Sequence, residues 1–283
     1  MSIFDTFERK HDFLVCVDSD GCVMDTMNCK HFHCFGPCMV RQWGLEDWKD
    51  EILERWNVIN LFSMTRGINR FKGLAMALGE INDRYKPITG IAALQHWADT
   101  APALSNDAVA KAEAEATDAA AKEVFRNALA WSKAVNAAIV ELDEALKVPY
   151  LGAKEGLAAA HSFADVAMVS SANRDAVEEE WGKFGLLEHT DIVLAQDIGS
   201  KAACIQQMLK FGYDPHKVVM IGDAPGDSDA AAKNGVYYYP ILVNHEKESW
   251  DEAIAVAFEK LKNGDYADYG AKMQEKFLQN LGG

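Results

Sequence analysis

Apolar and polar positions change their rhythm twice along this chain. Phe13-Leu14-Val15-Cys16-Val17 is a short, almost wholly apolar run closed by Asp18-Ser19-Asp20-Gly21, and a run of that length ending in a polar turn predicts a buried strand. Beyond residue 26 the spacing becomes helical. Leu45, Trp48, Ile52, Leu53 and Trp56 recur at three- and four-residue steps, and Ile68, Phe71, Leu74, Ala75 and Leu78 repeat the pattern, the stripe of an amphipathic helix. Pro87 and Pro102 interrupt the run. Ser105-Asn106-Asp107 then supplies cap candidates for an Ala-rich helix from about Ala108, continuing with a break to Lys147. Val124, Leu129, Val135, Ile139, Leu142 and Leu146 give that helix its apolar face.

After Pro149 the text alternates between strand and helix. The runs Val166–Val169, Ile192–Ala195, Val218–Ile221 and Val236–Val243 read as strands. Between them, Asp175–Phe184, Lys201–Phe211 and Asp229–Asn234 read as helices. Such alternation predicts an α/β fold, a parallel sheet with helices on both faces. The strand at Phe13–Val17 must join that sheet to bury itself. The economical architecture is therefore an α/β core of residues 1–26 and 149–283, with a helical module of residues 27–148 inserted after the first strand. Within the core, the amphipathic segment from Glu246 to Leu281 is expected to pack as C-terminal helices.

Composition removes several function classes. A formal charge of −15 and a pI near 4.9 argue against a nucleic-acid binder, which needs a basic face. No apolar run approaches the ~20 residues of a membrane-spanning helix. The polar stretch Met1–Asp12 lacks the apolar core of a secretory leader, so the expected location is cytoplasmic. Monomer and homodimer both stay open. Five of the six cysteines fall between Cys16 and Cys38. Cys29, His31, His33, Cys34 and Cys38 have zinc-ligand spacing but lack paired Cys-x-x-Cys units, so the thiols are expected to pack the start of a helical segment.

The chemistry lies where the strands end. Side chains alternate along a strand, so Asp18 and Asp20 can point the same way from its C-terminal end, and Gly21 frees the backbone to turn there. Two converging carboxylates suit a hard cation, or a nucleophile with an acid/base group beside it. Val166–Val169 delivers Ser170-Ser171-Ala172-Asn173, hydroxyls and N–H groups suited to an anion. Ile192–Ala195 leads to Lys201 at a helix start, where a cation opposes the helix dipole and so points to another role. Val218–Ile221 opens into Gly222-Asp223-Ala224-Pro225-Gly226-Asp227, a small acidic loop suited to a divalent ion.

Taken as an ordered set, Asp18-Ser19-Asp20-Gly21, Ser170 or Ser171, Lys201, and Gly222-Asp223-Ala224-Pro225-Gly226-Asp227 resemble the four motifs of the haloacid dehalogenase-like (HAD-like) hydrolase superfamily, in its phosphatase-type branch. The third motif departs from the family's usual Gly-Lys-Pro and reads Ser200-Lys201-Ala202. The resemblance covers residues 13–26 and about 149–243. It implies a Rossmann-like catalytic core with an all-helical cap, as in phosphoglycolate phosphatase and beta-phosphoglucomutase relatives. It also implies roles. Asp18 would be the nucleophile forming an aspartyl-phosphate, and Asp20 the general acid and then base. Mg²⁺ would be held by Asp18, the Asp20 backbone carbonyl and Asp223, with Asp227 as a further ligand or support. Ser170 (or Ser171) and Lys201 would bind the phosphoryl oxygens. An acid at position 20 favours a phosphatase of a small phosphorylated metabolite, with a phosphomutase as the alternative and a non-catalytic binding protein as a third reading. In the cap, Arg66, Arg70 and Lys72 are the candidates for gripping an anionic substrate.

Overall fold

The computed structural model describes residues 3–282. These divide into two compact units, one running to Met27 and resuming at Glu144, the other spanning Asn28–Asp143.

The first unit is built on five parallel strands: β1 (Phe13–Val17), β2 (Ala164–Val169), β3 (Ile192–Leu194), β4 (Val218–Gly222) and β5 (Tyr237–Pro240), in the order β3-β2-β1-β4-β5. Every residue of β2 and β4 is buried. A sheet covered on both faces hides both sets of side chains, which is why these strands read as continuous apolar runs rather than as an alternation. β1 lies at the centre. Val17 is in register with Met168 of β2 and Ile221 of β4, so the residues that follow β1, β2 and β4 leave the sheet at one edge. The chain moves outward from β1 in both directions, and that reversal opens a crevice at the C-terminal ends of the strands.

At the opposite edge, the buried Asp165 accepts from the backbone N–H groups of Lys10 (3.1 Å) and His11 (3.0 Å) and from the Tyr213 hydroxyl (2.5 Å). These bonds hold the segment leading into β1. The C-terminal helices pack on the sheet through Trp250, Phe258, Tyr266, Met273 and Phe277, all buried.

The second unit has its own core, which includes Met39, Trp56, Phe71, Leu74, Val124, Trp131 and Val135. Its longest helix is Ala119–Val140, and the Trp131 indole donates to the Phe35 carbonyl at 3.1 Å. The cysteine–histidine run packs as anticipated: Cys29, Cys34 and Cys38 belong to this core. His31 stacks on Phe35 with ring centroids 4.5 Å apart and accepts from Trp56 Nε1 at 3.1 Å. No helix among the described residues is long and apolar enough to cross a membrane.

Several boundaries depart from the sequence reading. The Ala-rich segment is two helices, Asn106–Glu115 and Ala119–Val140, capped by the side chains of Ser105 and Asp118; the chain turns extended at Ala116, and Asp118 is a second N-cap that starts the next helix. Leu146 lies beyond that helix and is 38% exposed, so it is not part of its apolar face. The helix expected at Asp229 begins at Pro225, because proline at the first helical position loses no hydrogen bond there.

Candidate active site

β1 ends at Val17, and the Asp18 N–H continues the ladder by donating to the Ile221 carbonyl at 3.0 Å. The chain then turns sharply. The Ser19 carbonyl accepts from the N–H groups of Cys22 (3.3 Å), Val23 (2.9 Å) and Met24 (2.9 Å), while Gly21 donates back to the Met24 carbonyl at 2.8 Å. Gly21 has φ of 89°, a left-handed conformation in which any Cβ would be strained. The turn leaves Asp18 buried at 5% exposure and Asp20 half-buried. The Thr26 hydroxyl donates to Asp20 Oδ1.

β4 delivers Asp223 directly after Gly222, and Asp227 sits in the first turn of helix Pro225–Asn234. Asp227 Oδ2 accepts from the Ala224 N–H at 3.1 Å, the return half of an N-terminal capping arrangement. Gly222 is what lets Asp227 approach: a Cβ at this position would run into the Asp227 carboxylate. Gly222→Ala is therefore expected to cost about 1–3 kcal/mol of stability by overpacking and to displace Asp227. Denaturant unfolding would check the first effect, and a weaker response of the melting temperature to an added divalent cation the second.

Lys201 opens helix Lys201–Leu209, whose N-cap is Ser200. Its Nζ lies 2.8 Å from Asp18 Oδ1 and 2.6 Å from Asp227 Oδ1. The cation that opposes its own helix dipole is thus held by two carboxylates. Asp18, Asp223 and Asp227 each bring a carboxylate oxygen within 4.8 Å of the others, and all three residues are buried. Among the described residues this is the one group of three or more acid, histidine or cysteine side chains arranged so; the cysteine–histidine run does not form another.

The electrostatics of the cluster are one-sided. Burial, reinforced by Asp227 and Asp223 and opposed by Lys201, drives the Asp18 carboxyl well above the usual carboxylate range. Burial also works against the Lys201 charge, but Asp18 and Asp227 outweigh it and raise the ammonium above its ordinary value. The three converging buried carboxylates offer an all-oxygen donor set beside a single lysine cation, which fits a hard divalent cation. The Asp20 side chain is not a member of that trio.

The two serines after β2 differ in environment. Ser170 is 3% exposed, its N–H donates to the Leu194 carbonyl at 2.9 Å, and its Oγ accepts from the Ala172 N–H at 3.1 Å. Ser171 is exposed. In the second unit, Arg66 is 2% exposed and donates to the Leu61 carbonyl at 2.8 Å. Arg70 donates to Ser132 Oγ (3.1 Å) and Asn136 Oδ1 (2.7 Å) and lies over the Phe35 ring at 5.0 Å. Lys72 is half-buried. Both arginines thus have hydrogen-bond partners inside their own unit.

Sequence reasoning missed three residues. Thr26, Trp181 and Trp250 all bond to the Asp18–Met24 turn or its carboxylate, the tryptophans from positions 162 and 228 residues away in the chain. No local pattern marks a tryptophan that will donate to so distant a turn.

The comparisons with known proteins agree with this fold. No curated protein sequence matches the chain. Among solved structures, a candidate phosphoglycolate phosphatase from Lactobacillus delbrueckii subsp. bulgaricus is 14% identical with a TM-score of 0.52, covering 87% of this chain and 99% of its own. A haloacid dehalogenase-like family hydrolase from Xanthomonas campestris is 13% identical with a TM-score of 0.49, covering 91% and 97%. A candidate beta-phosphoglucomutase from Thermotoga maritima is 18% identical with a TM-score of 0.47, covering 89% and 97%. At 14% identity, the likeness to the Lactobacillus delbrueckii structure concerns the fold alone. The family model described as "Haloacid dehalogenase-like hydrolase" matches residues 89–240, a span that includes Ser170, Lys201, Asp223 and Asp227. Its match, over more than half of the sequence, means that this chain belongs to the haloacid dehalogenase-like hydrolase family.

Proposed function

We propose that this protein is a Mg²⁺-dependent phosphatase of a small phosphate monoester, such as a sugar phosphate or a phosphoglycolate-like acid, acting through an aspartyl-phosphate on Asp18. The observation that carries this reading is the Lys201 ammonium bridging Asp18 and Asp227, with Asp223 completing a buried trio of carboxylates. In this reading the α/β unit is catalytic and the helical unit selects the substrate.

Asp18, Asp223 and Asp227 would hold the cation, together with the Asp20 backbone carbonyl. When bound, Mg²⁺ supplies positive charge that offsets the carboxylates and the phosphate dianion. The remaining chemistry belongs to side chains. Asp18 attacks phosphorus, forming an acyl phosphate as the bond to the leaving oxygen breaks. Asp20, entering protonated, gives its proton to that oxygen. Its carboxylate then takes a proton from a water molecule as that water attacks the phosphorus; inorganic phosphate leaves and the Asp18 carboxylate is restored. Lys201 and Ser170 face the non-transferred oxygens, where fixed positive charge and a hydrogen-bond donor stabilise the charge that develops. Lys201 also opposes the effect of burial on Asp18, favouring the ionised, nucleophilic carboxylate.

Purified protein incubated with a panel of sugar phosphates, phosphoglycolate and an aryl phosphate tests this directly. Mg²⁺-dependent release of inorganic phosphate is the expected result. Isomerised sugar phosphate without phosphate release would replace hydrolysis by mutase chemistry. Saturable binding with no turnover would remove catalysis altogether.

A further inference from the structure

The turn that carries Asp18 and Asp20 pivots on Gly21, the residue type with the least restricted backbone. Two indole groups close on it from different helices. Trp181, on Arg174–Lys183, donates from Nε1 to Ser19 Oγ at 2.8 Å, and both residues are fully buried. Trp250, on Glu246–Glu252, donates from Nε1 to the Cys22 carbonyl at 3.1 Å and is 1% exposed. Each indole has one N–H, no acceptor and few rotatable bonds, so its bond fixes the partner's direction as well as its distance. Their own positions are constrained too. Gly156 lies so close under the Trp250 ring that a Cβ would collide with it. Helix Arg174–Lys183 is tied at its start by Arg174, which grips both oxygens of Asp197 at 3.0 and 3.1 Å.

We propose that Trp181 and Trp250 are positioning residues that clamp the Ser19–Cys22 turn and so set where Asp20 stands relative to Asp18. This rests on the roles proposed for those two aspartates. The clamp matters more for Asp20 than for Asp18. Asp18 has independent anchors in the Ile221 carbonyl and Lys201. Asp20 lies beyond the clamped Ser19, is half-buried, and has the Thr26 hydroxyl on its carboxylate. Loosening the turn therefore disturbs proton donation before it disturbs nucleophilic attack.

That asymmetry has a kinetic signature. An alkyl phosphate has a basic leaving oxygen that needs the acid, whereas an aryl phosphate with a good leaving group hardly does. Trp181→Phe, Trp250→Phe and Ser19→Ala would be made in the full chain and assayed with Mg²⁺ on one ester of each kind. For Trp181→Phe and Ser19→Ala, which delete the same bond from its two ends, kcat on the alkyl ester is expected to fall about tenfold, KM to stay within about twofold, and the aryl ester to lose less than about threefold. Trp250→Phe should show the same pattern through the other bond. An equal fall in kcat on both esters in variants that remain folded, or no change in either, overturns the proposal.

Hydrogen exchange supplies a readout that needs no turnover. The amides of Cys22, Val23 and Met24, which bond to the Ser19 carbonyl, should exchange about tenfold faster in the variants while those of Phe13–Val17 keep their protection. Unchanged exchange in the turn overturns the clamp. Ser19→Ala decides the matter should Trp181→Phe fail to fold, because it deletes the bond with almost no change in packing. Absence of turnover in the unmodified protein would count against the phosphatase reading alone, and the exchange arm would still decide the clamp.

Discussion

Asp18→Asn is expected to lower phosphate release by at least about 10⁴-fold, the order of loss seen when a nucleophile is deleted from a covalent mechanism. Asparagine keeps the shape of the side chain and its place at the end of β1, but its amide cannot form the acyl phosphate. The fold should not suffer. Burial raises the Asp18 carboxyl above its ordinary value of 3.8, so its ionisation is less favourable in the folded chain than in the unfolded one. The sign follows from linkage: stability from this group is complete below the unfolded value and is lost as pH rises through the folded one. Removing the charge removes that loss. Without Mg²⁺, the Asn variant should therefore be at least as stable as the parent at neutral pH while being inactive, which thermal unfolding and a phosphate-release assay check together. Turnover within about tenfold of the parent would sink the nucleophile assignment.

Lys201→Met should damage both stability and rate. The ammonium is the counter-charge in direct contact with Asp18 and Asp227, and the side chains of all three are at most 16% exposed. Removing one partner from a buried ionic group leaves uncompensated charge, at a cost of about 3–5 kcal/mol. In the proposed mechanism, loss of the fixed charge facing the phosphoryl oxygens should lower kcat by roughly 10²–10³-fold. The two effects separate on addition of Mg²⁺. A divalent ion on the same carboxylates restores part of the missing charge, so stability should recover more than rate does. Denaturant unfolding of the variant with and without Mg²⁺ tests this, and unchanged stability in its absence would refute it. The same pair determines a pH response. The lysine pKa is raised above 10.5 by its carboxylates, so its contribution to stability is complete below 10.5 and disappears only as pH rises through the folded value. A fall in activity between pH 7 and 10 would therefore have another source.

Much of this was legible before any coordinates, for physical reasons. Strands buried on both faces must be apolar throughout, so β1, β2 and β4 stand out as short unbroken runs. Charged and hydroxyl residues at the ends of such runs have few structural reasons to recur four times, which is why Asp18, Ser170, Lys201 and Asp223 could be singled out as a set. Helix ends were harder. Pro225 reads equally well as a turn residue and as a first helical residue, and only the bond from the Ala224 N–H to Asp227 shows that the acidic loop is already helix. For Arg66 and Arg70 the sequence offered only their spacing, and packing adds backbone, hydroxyl and amide partners that no local period marks.

The sequence by itself determined the alternation that makes a parallel sheet, the helical insert after β1, and which strand ends carry acidic, hydroxyl and lysine groups, because each depends on periods of two or 3.6 residues and on residue type nearby. Tertiary structure alone decided which of those groups meet and what holds them there. Lys201 reaches Asp18 and Asp227, and Trp181 and Trp250 reach the Ser19–Cys22 turn, across separations of up to 228 residues. Such contacts depend on how the sheet and its helices pack, which no local period encodes.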